Sequence, residues 1–371
     1  MSKHCLLGFF LACFSSCSLW AAELDVYFGT YTRGASEGIY RSTLDLKSGK
    51  LSDPVLVVQA TNPSFLEINS DATRLYAVGE GGDIGVSTFS IEKDGTLRFL
   101  GGVESGGSGP CHISLSPNGK FAAVANYGGG SVSSYTIDAN GVLQGPVSTI
   151  QHVGSSVDPR RQTKPHAHSI NFSQDSRFAY AADLGTDRVY VYAVDSETGA
   201  LVKSSEAKLP GGSGPRHFAI HPEGELAFLI NEMTRDVTSF RVDSETGALE
   251  RVESQSTLPP GAEAQGSTAE VVVHPSGKFV YGSNRGHDTI VAFALDEGTG
   301  MLKRIENEPI QGAIPRNFAI TPDGIWLLAA GQKSNTVAVF SVDSETGELD
   351  YSDVRVEVDS PVCVRFASRQ D

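Results

Sequence analysis

An internal repeat restricts this chain to very few architectures. The turn Asp-Ser-Glu-Thr-Gly, followed two positions later by leucine, occurs at residues 195–201, 243–249 and 343–349. Looser copies occur at residues 45–51, 92–97, 138–143 and 296–302. Subtracting the numbers of successive closing leucines gives spacings of 46, 46, 58, 48, 53 and 47 residues, which is the spacing of a four-stranded propeller blade. Seven copies therefore predict an all-β, seven-bladed β-propeller with antiparallel blades.

A second series of turns keeps the same interval and shows how the ring closes. Six such turns stand between two short strands, at residues 70–71, 117–119, 174–175, 222–224, 275–277 and 322–324. The seventh is missing because its blade is split. Residues 25–29 supply the second strand of that blade, and residues 361–366 supply its first strand. Closing the ring with both chain ends leaves no exposed edge between first and last blade. We therefore expect one domain over residues 23–371.

The first 22 residues do not belong to the repeat. A basic start precedes an apolar run over residues 5–14, and a small-residue cleavage pattern follows at Ala21 and Ala22. This pattern is typical of a secretory signal peptide, with a lipoprotein signal at Cys13 as the alternative. The apolar run is too short to span a bilayer permanently. We expect a periplasmic or secreted mature protein without a transmembrane segment.

Charge and cysteine content limit the partners of the chain. The formal net charge of −15 argues against nucleic-acid binding, which requires clustered Lys and Arg. Cys111 and Cys363 are the two cysteines outside the signal, and the repeat places them on innermost strands of blades that are not neighbours. A disulfide between them is therefore not expected, and we predict two free, buried thiols. We also expect a monomer.

Charged residues stand at both ends of one predicted hairpin, at residues 214–232. Phe218 and Ile220 alternate with smaller residues before a His-Pro-Glu-Gly turn, and a second alternating run follows. Arg216 opens the first strand and Glu232 follows the second. Because a hairpin brings its outer ends together, Arg216 and Glu232 should emerge on the same side.

Two loops exceed the repeat length, at residues 151–164 and 259–267. Both lead into the first strand of a blade, on the face that also carries the turn between second and third strands. Insertions on one face of a repeat protein usually mark its binding face. Arg160, Arg161 and Lys164 in the longer loop form either a lid over an anionic substrate or a solvated loop.

When the repeats are aligned, several charged residues and one histidine fall near the mouth of the central channel. The residues that converge there come from three consecutive blades and are His168, Arg216, Glu232, Glu270 and Arg285. Ionised groups among packed strands are costly unless they are paired. The cluster is therefore either a salt-bridge network that closes the channel or an anion-binding pocket with a general acid or base. No spacing resembles a metal-ligand motif, so no metal is expected.

Five short motifs make the chain resemble a known family. They lie in order along the chain, at residues 164–169, 182–189, 214–218, 231–232 and 284–288. Together they resemble the lactonase family of seven-bladed propellers, which includes propeller-type 6-phosphogluconolactonases and fungal 3-carboxy-cis,cis-muconate lactonising enzymes. The resemblance covers essentially the whole chain after the signal. It implies an active site without metal or organic cofactor, composed of His168, Arg216, Glu232 and Arg285.

The resemblance and the residue chemistry together predict a hydrolase that opens a small-molecule, sugar-derived or anionic lactone. Either His168 or Glu232 could activate water, the latter if a dry setting raises its pKa. Arg216 and Arg285 would bind the oxyanion or a substrate phosphate or carboxylate. Further substrate-binding or supporting residues around this set are expected to be His166, His217, Glu270 and Arg316.

Two alternatives remain open at this point. The same arginines could hold the carboxylates of a muconate-like substrate in a lactonising or cycloisomerising enzyme. The propeller could also be a non-catalytic exported binding module, because a fold does not by itself imply a function.

Overall fold

The structure, a computed structural model, describes residues 23–263 and 265–369. The predicted signal peptide lies outside the described residues. These residues form twenty-eight β-strands in seven antiparallel four-stranded sheets. The described part of the chain has no helix long and apolar enough to cross a membrane. The predicted seven-bladed propeller is confirmed.

Six blades use four consecutive strands each. The first three are β4 (Pro63–Ile68), β5 (Arg74–Gly79), β6 (Val86–Ile91) and β7 (Leu97–Val103); β8 (Pro110–Leu115), β9 (Phe121–Asn126), β10 (Ser131–Ile137) and β11 (Leu143–Gln151); and β12 (Ala167–Phe172), β13 (Phe178–Asp183), β14 (Arg188–Val194) and β15 (Leu201–Lys208). The next three are β16 (Pro215–Ile220), β17 (Leu226–Asn231), β18 (Asp236–Val242) and β19 (Leu249–Ser256); β20 (Ser267–Val273), β21 (Phe279–Arg285), β22 (Thr289–Asp296) and β23 (Met301–Pro309); and β24 (Pro315–Ile320), β25 (Trp326–Gly331), β26 (Thr336–Val342) and β27 (Leu349–Glu357).

The seventh blade joins the two ends of the domain, as predicted. It consists of β28 (Pro361–Ser368), β1 (Glu23–Thr30), β2 (Gly38–Asp45) and β3 (Val55–Gln59), in that order. The antiparallel pairing of β1 with β28 runs from Leu24 opposite Ser368 to Gly29 opposite Cys363. The innermost strands of successive blades contact one another in a closed ring around the central channel.

The repeated turn connects the third and fourth strands of a blade and docks on the preceding blade. In one copy, Asp243 Oδ1 accepts hydrogen bonds from the backbone N–H groups of Glu245 and Thr246, both at 2.9 Å. Gly247 follows with φ near +71°, and a Cβ there would lie 2.6 Å from the ring of Phe178. Glycine is therefore needed both for the backbone conformation and for this contact, which explains why the turn recurs.

Each blade has a β-bulge where its innermost strand begins. In one blade Pro215 pairs with Asn231 and His217 with Ile230, so Arg216 faces no partner residue. The other blades show the same register shift, at residues 63–65, 110–112, 167–169, 268–271, 315–317 and 361–363. A bulge turns two consecutive side chains toward one side of a sheet. Arg216 and His217 accordingly both line the channel.

Both cysteines of the described chain are free and buried, on β8 and β28. The prediction of two buried thiols without a disulfide is confirmed.

Candidate active site

Glu232 lies at the centre of a cluster of guanidinium groups at the mouth of the channel. It follows β17 and is almost fully buried. Its Oε2 accepts from Arg216 Nε at 3.1 Å and from Arg285 Nη2 at 3.0 Å. Its Oε1 accepts from Arg161 Nη2 at 2.6 Å. The predicted meeting of Arg216 and Glu232 across their hairpin is confirmed.

These cations determine the protonation state of Glu232. Burial alone would raise the pKa of the carboxyl, but the positive charges of Arg285, Arg216 and Arg161 outweigh burial and hold the pKa well below its usual range. The condition under which Glu232 could activate water, a pKa raised by a dry setting, is therefore not met. Glu232 is an ionised carboxylate whose two oxygens are both occupied.

The two deep arginines are held by the backbone as well as by Glu232. Arg216 donates through Nη1 to the carbonyl oxygen of Ala269 at 2.5 Å, and Arg285 donates through Nη2 to the carbonyl oxygen of Thr268 at 2.8 Å. Burial and the neighbouring arginines lower the pKa of Arg216 to about 9, which still leaves it cationic at pH 7. Three arginines against one carboxylate leave a local excess of positive charge.

His168 lies beside this cluster in a small chamber of the channel that Arg216, Arg316 and Cys111 also line. Its ring lies edge-on to the ring of His217, with centroids 5.3 Å apart. Burial, followed by the positive charge of Arg216, holds the pKa of His168 well below its usual value. The imidazole is therefore neutral at pH 7 and can accept a proton.

Glu270 occupies a different level of the channel from Glu232. His217 donates through Nδ1 to Glu270 Oε1 at 2.7 Å, and Asn317 donates through Nδ2 to Glu270 Oε2. Burial raises the pKa of Glu270. The carboxyl group borders a cavity of about 680 Å³ at the opposite end of the channel, which the turns at Pro222 and Pro322 also line. His217 stands between this cavity and the chamber of His168.

Arg316 reaches the chamber from another blade and has its own partners. It donates through Nη2 to the hydroxyl of Tyr31 at 2.9 Å, and that hydroxyl donates to Glu80 Oε2 at 2.8 Å. The Arg316 guanidinium also lies 5.4 Å from the centroid of the Tyr31 ring. Arg316 thus lines the same chamber as His168 without being paired to Glu232.

His166 contacts the rim through Tyr127. Its Nδ1 donates to the carbonyl oxygen of Tyr127 at 2.9 Å, and the two rings stack with centroids 4.5 Å apart. The Tyr127 hydroxyl lies 3.2 Å from Arg161 Nη2. His166 therefore positions Tyr127, which in turn contacts Arg161.

Sequence reasoning did not include three residues of this site in the expected substrate-binding set. They are Arg161, Tyr127 and Tyr31. The length of the loop at residues 151–164 was a signal for Arg161, but that loop was equally compatible with a solvated surface. Tyr127 and Tyr31 are uncharged, so the charge pattern that marked the other site residues did not distinguish them from other tyrosines at strand ends.

No group of three or more His, Cys, Asp or Glu residues in the described ranges is placed to hold a metal ion. The absence of a metal or organic cofactor stays a prediction.

Comparison with known proteins identifies the family. Residues 25–366 match the family described as lactonase, 7-bladed beta-propeller. The chain is 34% identical over 342 residues to a 6-phosphogluconolactonase of Bacillus subtilis (strain 168), covering 92% of this chain and 97% of the relative. It is 33% identical over 336 residues to a 6-phosphogluconolactonase of Formosa agariphila, with 87% and 94% covered.

A solved structure agrees with this assignment. The periplasmic gluconolactonase of Pseudomonas aeruginosa superposes with a TM-score of 0.88 at 31% identity, covering 94% of this chain and 100% of that one. The motifs, the fold and these comparisons lead to one conclusion. The chain belongs to the lactonase family of seven-bladed β-propellers.

Proposed function

We propose that this protein is a lactone hydrolase that opens a sugar-derived or anionic lactone by attack of water, with His168, Arg216, Glu232 and Arg285 as its active site. The observation that carries the proposal is the ionised Glu232 held among arginines beside the neutral imidazole of His168. Relatives named as 6-phosphogluconolactonases support the reaction class.

His168 is the better candidate for the general base. The carboxylate of Glu232 is a weak base because its positive neighbours lower its pKa and occupy both of its oxygens. A neutral imidazole can take a proton from water as the water oxygen forms a bond to the lactone carbonyl carbon. The charge of Glu232 favours the imidazolium that then forms, because it acts to raise the pKa of His168.

The arginines stabilise the tetrahedral intermediate that forms when water attacks. Attack of water moves an electron pair onto the carbonyl oxygen, and Arg285 or Arg216 donates hydrogen bonds to that oxyanion. Collapse of the tetrahedral intermediate breaks the ring C–O bond. The imidazolium of His168 returns its proton to the leaving alkoxide, which yields a hydroxy acid. Glu232 keeps the two guanidiniums oriented throughout.

His166, His217, Glu270 and Arg316 support this set in the proposal. Arg316 faces the chamber and can contact substrate directly. His166 acts through Tyr127, and Glu270 acts through the ring of His217.

The first experiment measures hydrolysis of 6-phosphoglucono-δ-lactone and of glucono-δ-lactone by the purified mature protein, with chelator present and the spontaneous rate subtracted. Acceleration of either lactone that disappears in His168→Ala supports the proposal. Failure to accelerate either one contradicts the sugar-lactonase assignment. Muconate-type substrates would then test the lactonising alternative, and ligand screening would test the binding alternative.

The proposal also places the protein in the periplasm or outside the cell, as a monomer after removal of residues 1–22. The basic and apolar start of the chain supports this location. Cell fractionation followed by intact-mass measurement tests it, because the exported form should begin within one or two residues of Ala22. Light scattering on the purified protein tests the monomeric state.

A further inference from the structure

We infer that Arg161 is the specificity residue that recognises an anionic group on the lactone, and that in binding this group it uncovers Oε1 of Glu232. The inference rests on the proposed function and deepens it, because it assigns anion recognition to a residue outside the set His168, Arg216, Glu232 and Arg285. The ligand group is a phosphate or a carboxylate.

Arg161 is the guanidinium that an approaching ligand meets first. Its side chain is 43% exposed, whereas those of Arg285 and Arg216 are 14% and 2% exposed. It nevertheless touches the buried carboxylate of Glu232 at 2.6 Å. Arg161 therefore spans the distance between solvent and the candidate catalytic centre.

The backbone beneath Arg161 is held firmly. Asp158 Oδ1 accepts from the backbone N–H of Arg161 at 3.0 Å. Gln162 Nε2 donates to the carbonyl oxygen of Leu184 at 2.9 Å, and Ser156 Oγ donates to Asp187 Oδ2 at 2.5 Å. The loop is thus anchored on both sides of Arg161, and a change of partner requires only rotation of the arginine side chain.

The donors that each Glu232 oxygen accepts from indicate which hydrogen bond a ligand can replace. Arg216 and Arg285 share Oε2, and each also donates to a backbone carbonyl. Arg161 alone contacts Oε1 among these arginines, and its additional side-chain partner is the hydroxyl of Tyr127. A ligand anion that replaces Oε1 as the acceptor for Arg161 leaves Glu232 ionised, because Arg216 and Arg285 remain in place.

The local charge favours such an exchange. Arg161, Arg216 and Arg285 together carry two more positive charges than Glu232 neutralises. A guanidinium can bind a phosphate or carboxylate through two parallel hydrogen bonds, which adds both strength and orientation. A neutral lactone offers Arg161 no anionic group. It therefore cannot give Arg161 a charged acceptor in place of the Glu232 carboxylate.

The test compares Arg161→Ala with Arg160→Ala as the matched control. Arg160 is the adjacent exposed residue of the same loop, and its backbone N–H donates to Asp158 Oδ1 at 2.7 Å. We expect the ratio of kcat/KM for 6-phosphoglucono-δ-lactone to kcat/KM for glucono-δ-lactone to fall by about tenfold or more in Arg161→Ala, chiefly through KM. In Arg160→Ala the ratio should change by less than about twofold. The same comparison with a lactone that carries a carboxylate in place of the phosphate shows which of the two anions Arg161 recognises.

A binding measurement separates this inference from the proposed function. Calorimetric titration with 6-phosphogluconate requires no turnover, and we expect Arg161→Ala to weaken its binding by about tenfold or more relative to Arg160→Ala. Equal affinity in the two variants overturns the inference, even if the wild-type protein hydrolyses both lactones. Failure of the wild-type protein to hydrolyse either lactone would overturn the proposed function, while the titration would still decide whether Arg161 binds the anion.

Discussion

Arg216 and Glu232 are joined at the open end of a single hairpin, with Arg216 Nε donating to Glu232 Oε2 at 3.1 Å. Arg285 from the next blade donates to the same oxygen. The carboxylate therefore links two blades while it orients the two guanidiniums of the proposed active site. Both the stability of the fold and the activity should therefore depend on Glu232.

Replacement of Glu232 by Gln should reduce both activity and stability. The neutral amide leaves the buried guanidiniums without their counter-charge, and removal of one partner from a buried ion pair typically costs about 3–5 kcal/mol. The cost should lie at or below the lower end of this range because Arg161 is partly exposed. Thermal unfolding measures the loss, with Glu223→Gln in an exposed turn as the control. Added phosphate should restore part of the stability of Glu232→Gln by replacing the missing anion.

The stability difference between wild type and Glu232→Gln should also depend on pH. The folded-state pKa of Glu232 is lowered, so its ionisation contributes stability that is fully present above the ordinary pKa of 4.5 and is lost as pH falls toward the folded-state value. We expect the same difference at pH 7 and pH 5.5 and a smaller one at pH 3.5. A difference that grows as pH falls below 4.5 would contradict the ionised state assigned to Glu232.

His168→Gln should lower kcat/KM by about 10²–10⁴, the usual contribution of a general base. Because burial and Arg216 lower the pKa of His168 below 6.5, the imidazole stays neutral, and wild-type activity should remain flat as pH falls to 6.5 and decline only below it. The pH profile of kcat/KM, corrected for spontaneous hydrolysis, measures this. A variant that loses stability but keeps the wild-type rate and profile would show that His168 acts only in packing.

Arg285→Ala should lower kcat by about 10²–10³, as loss of one oxyanion donor does. Added guanidinium ion should restore part of the rate, because it can occupy the vacated space beside Glu232 and replace the missing donor. Arg235→Ala is a suitable control, since Arg235 carries the same charge nearby and contacts the carbonyl oxygen of Gly266. An unchanged kcat in Arg285→Ala would remove this residue from the proposed reaction.

The two thiols of residues 23–371 should be inert in the folded protein. Burial raises the pKa of Cys111 to about 12 and that of Cys363 to about 11, so neither forms a reactive thiolate at pH 8. A thiol-reactive chromophore should therefore detect no thiol in the native mature protein and two after unfolding in denaturant. Rapid reaction before unfolding would show that one of these strands opens to solvent.

Much of the fold could be predicted because its signals are local and repeated. The turn at residues 243–249 requires an aspartate to bond its own backbone and a glycine to pass a neighbouring ring. Seven exact or looser copies of this turn, spaced by about one blade, define the seven blades. Alternation of apolar residues predicted the strands. The hairpin geometry predicted the contact of Arg216 with Glu232, since only 16 residues separate the pair.

The sequence by itself therefore determined the propeller, its closure by both chain ends and the meeting of Arg216 with Glu232, because short-range backbone patterns encode all three. Only the tertiary structure decided that a bulge turns Arg216 and His217 into the same channel and that Glu270 pairs with His217 instead of joining Glu232. It also decided that Arg161, 71 residues from Glu232, supplies the third guanidinium. These outcomes depend on distances between elements remote in the chain, and those same distances set the charge state of each buried group.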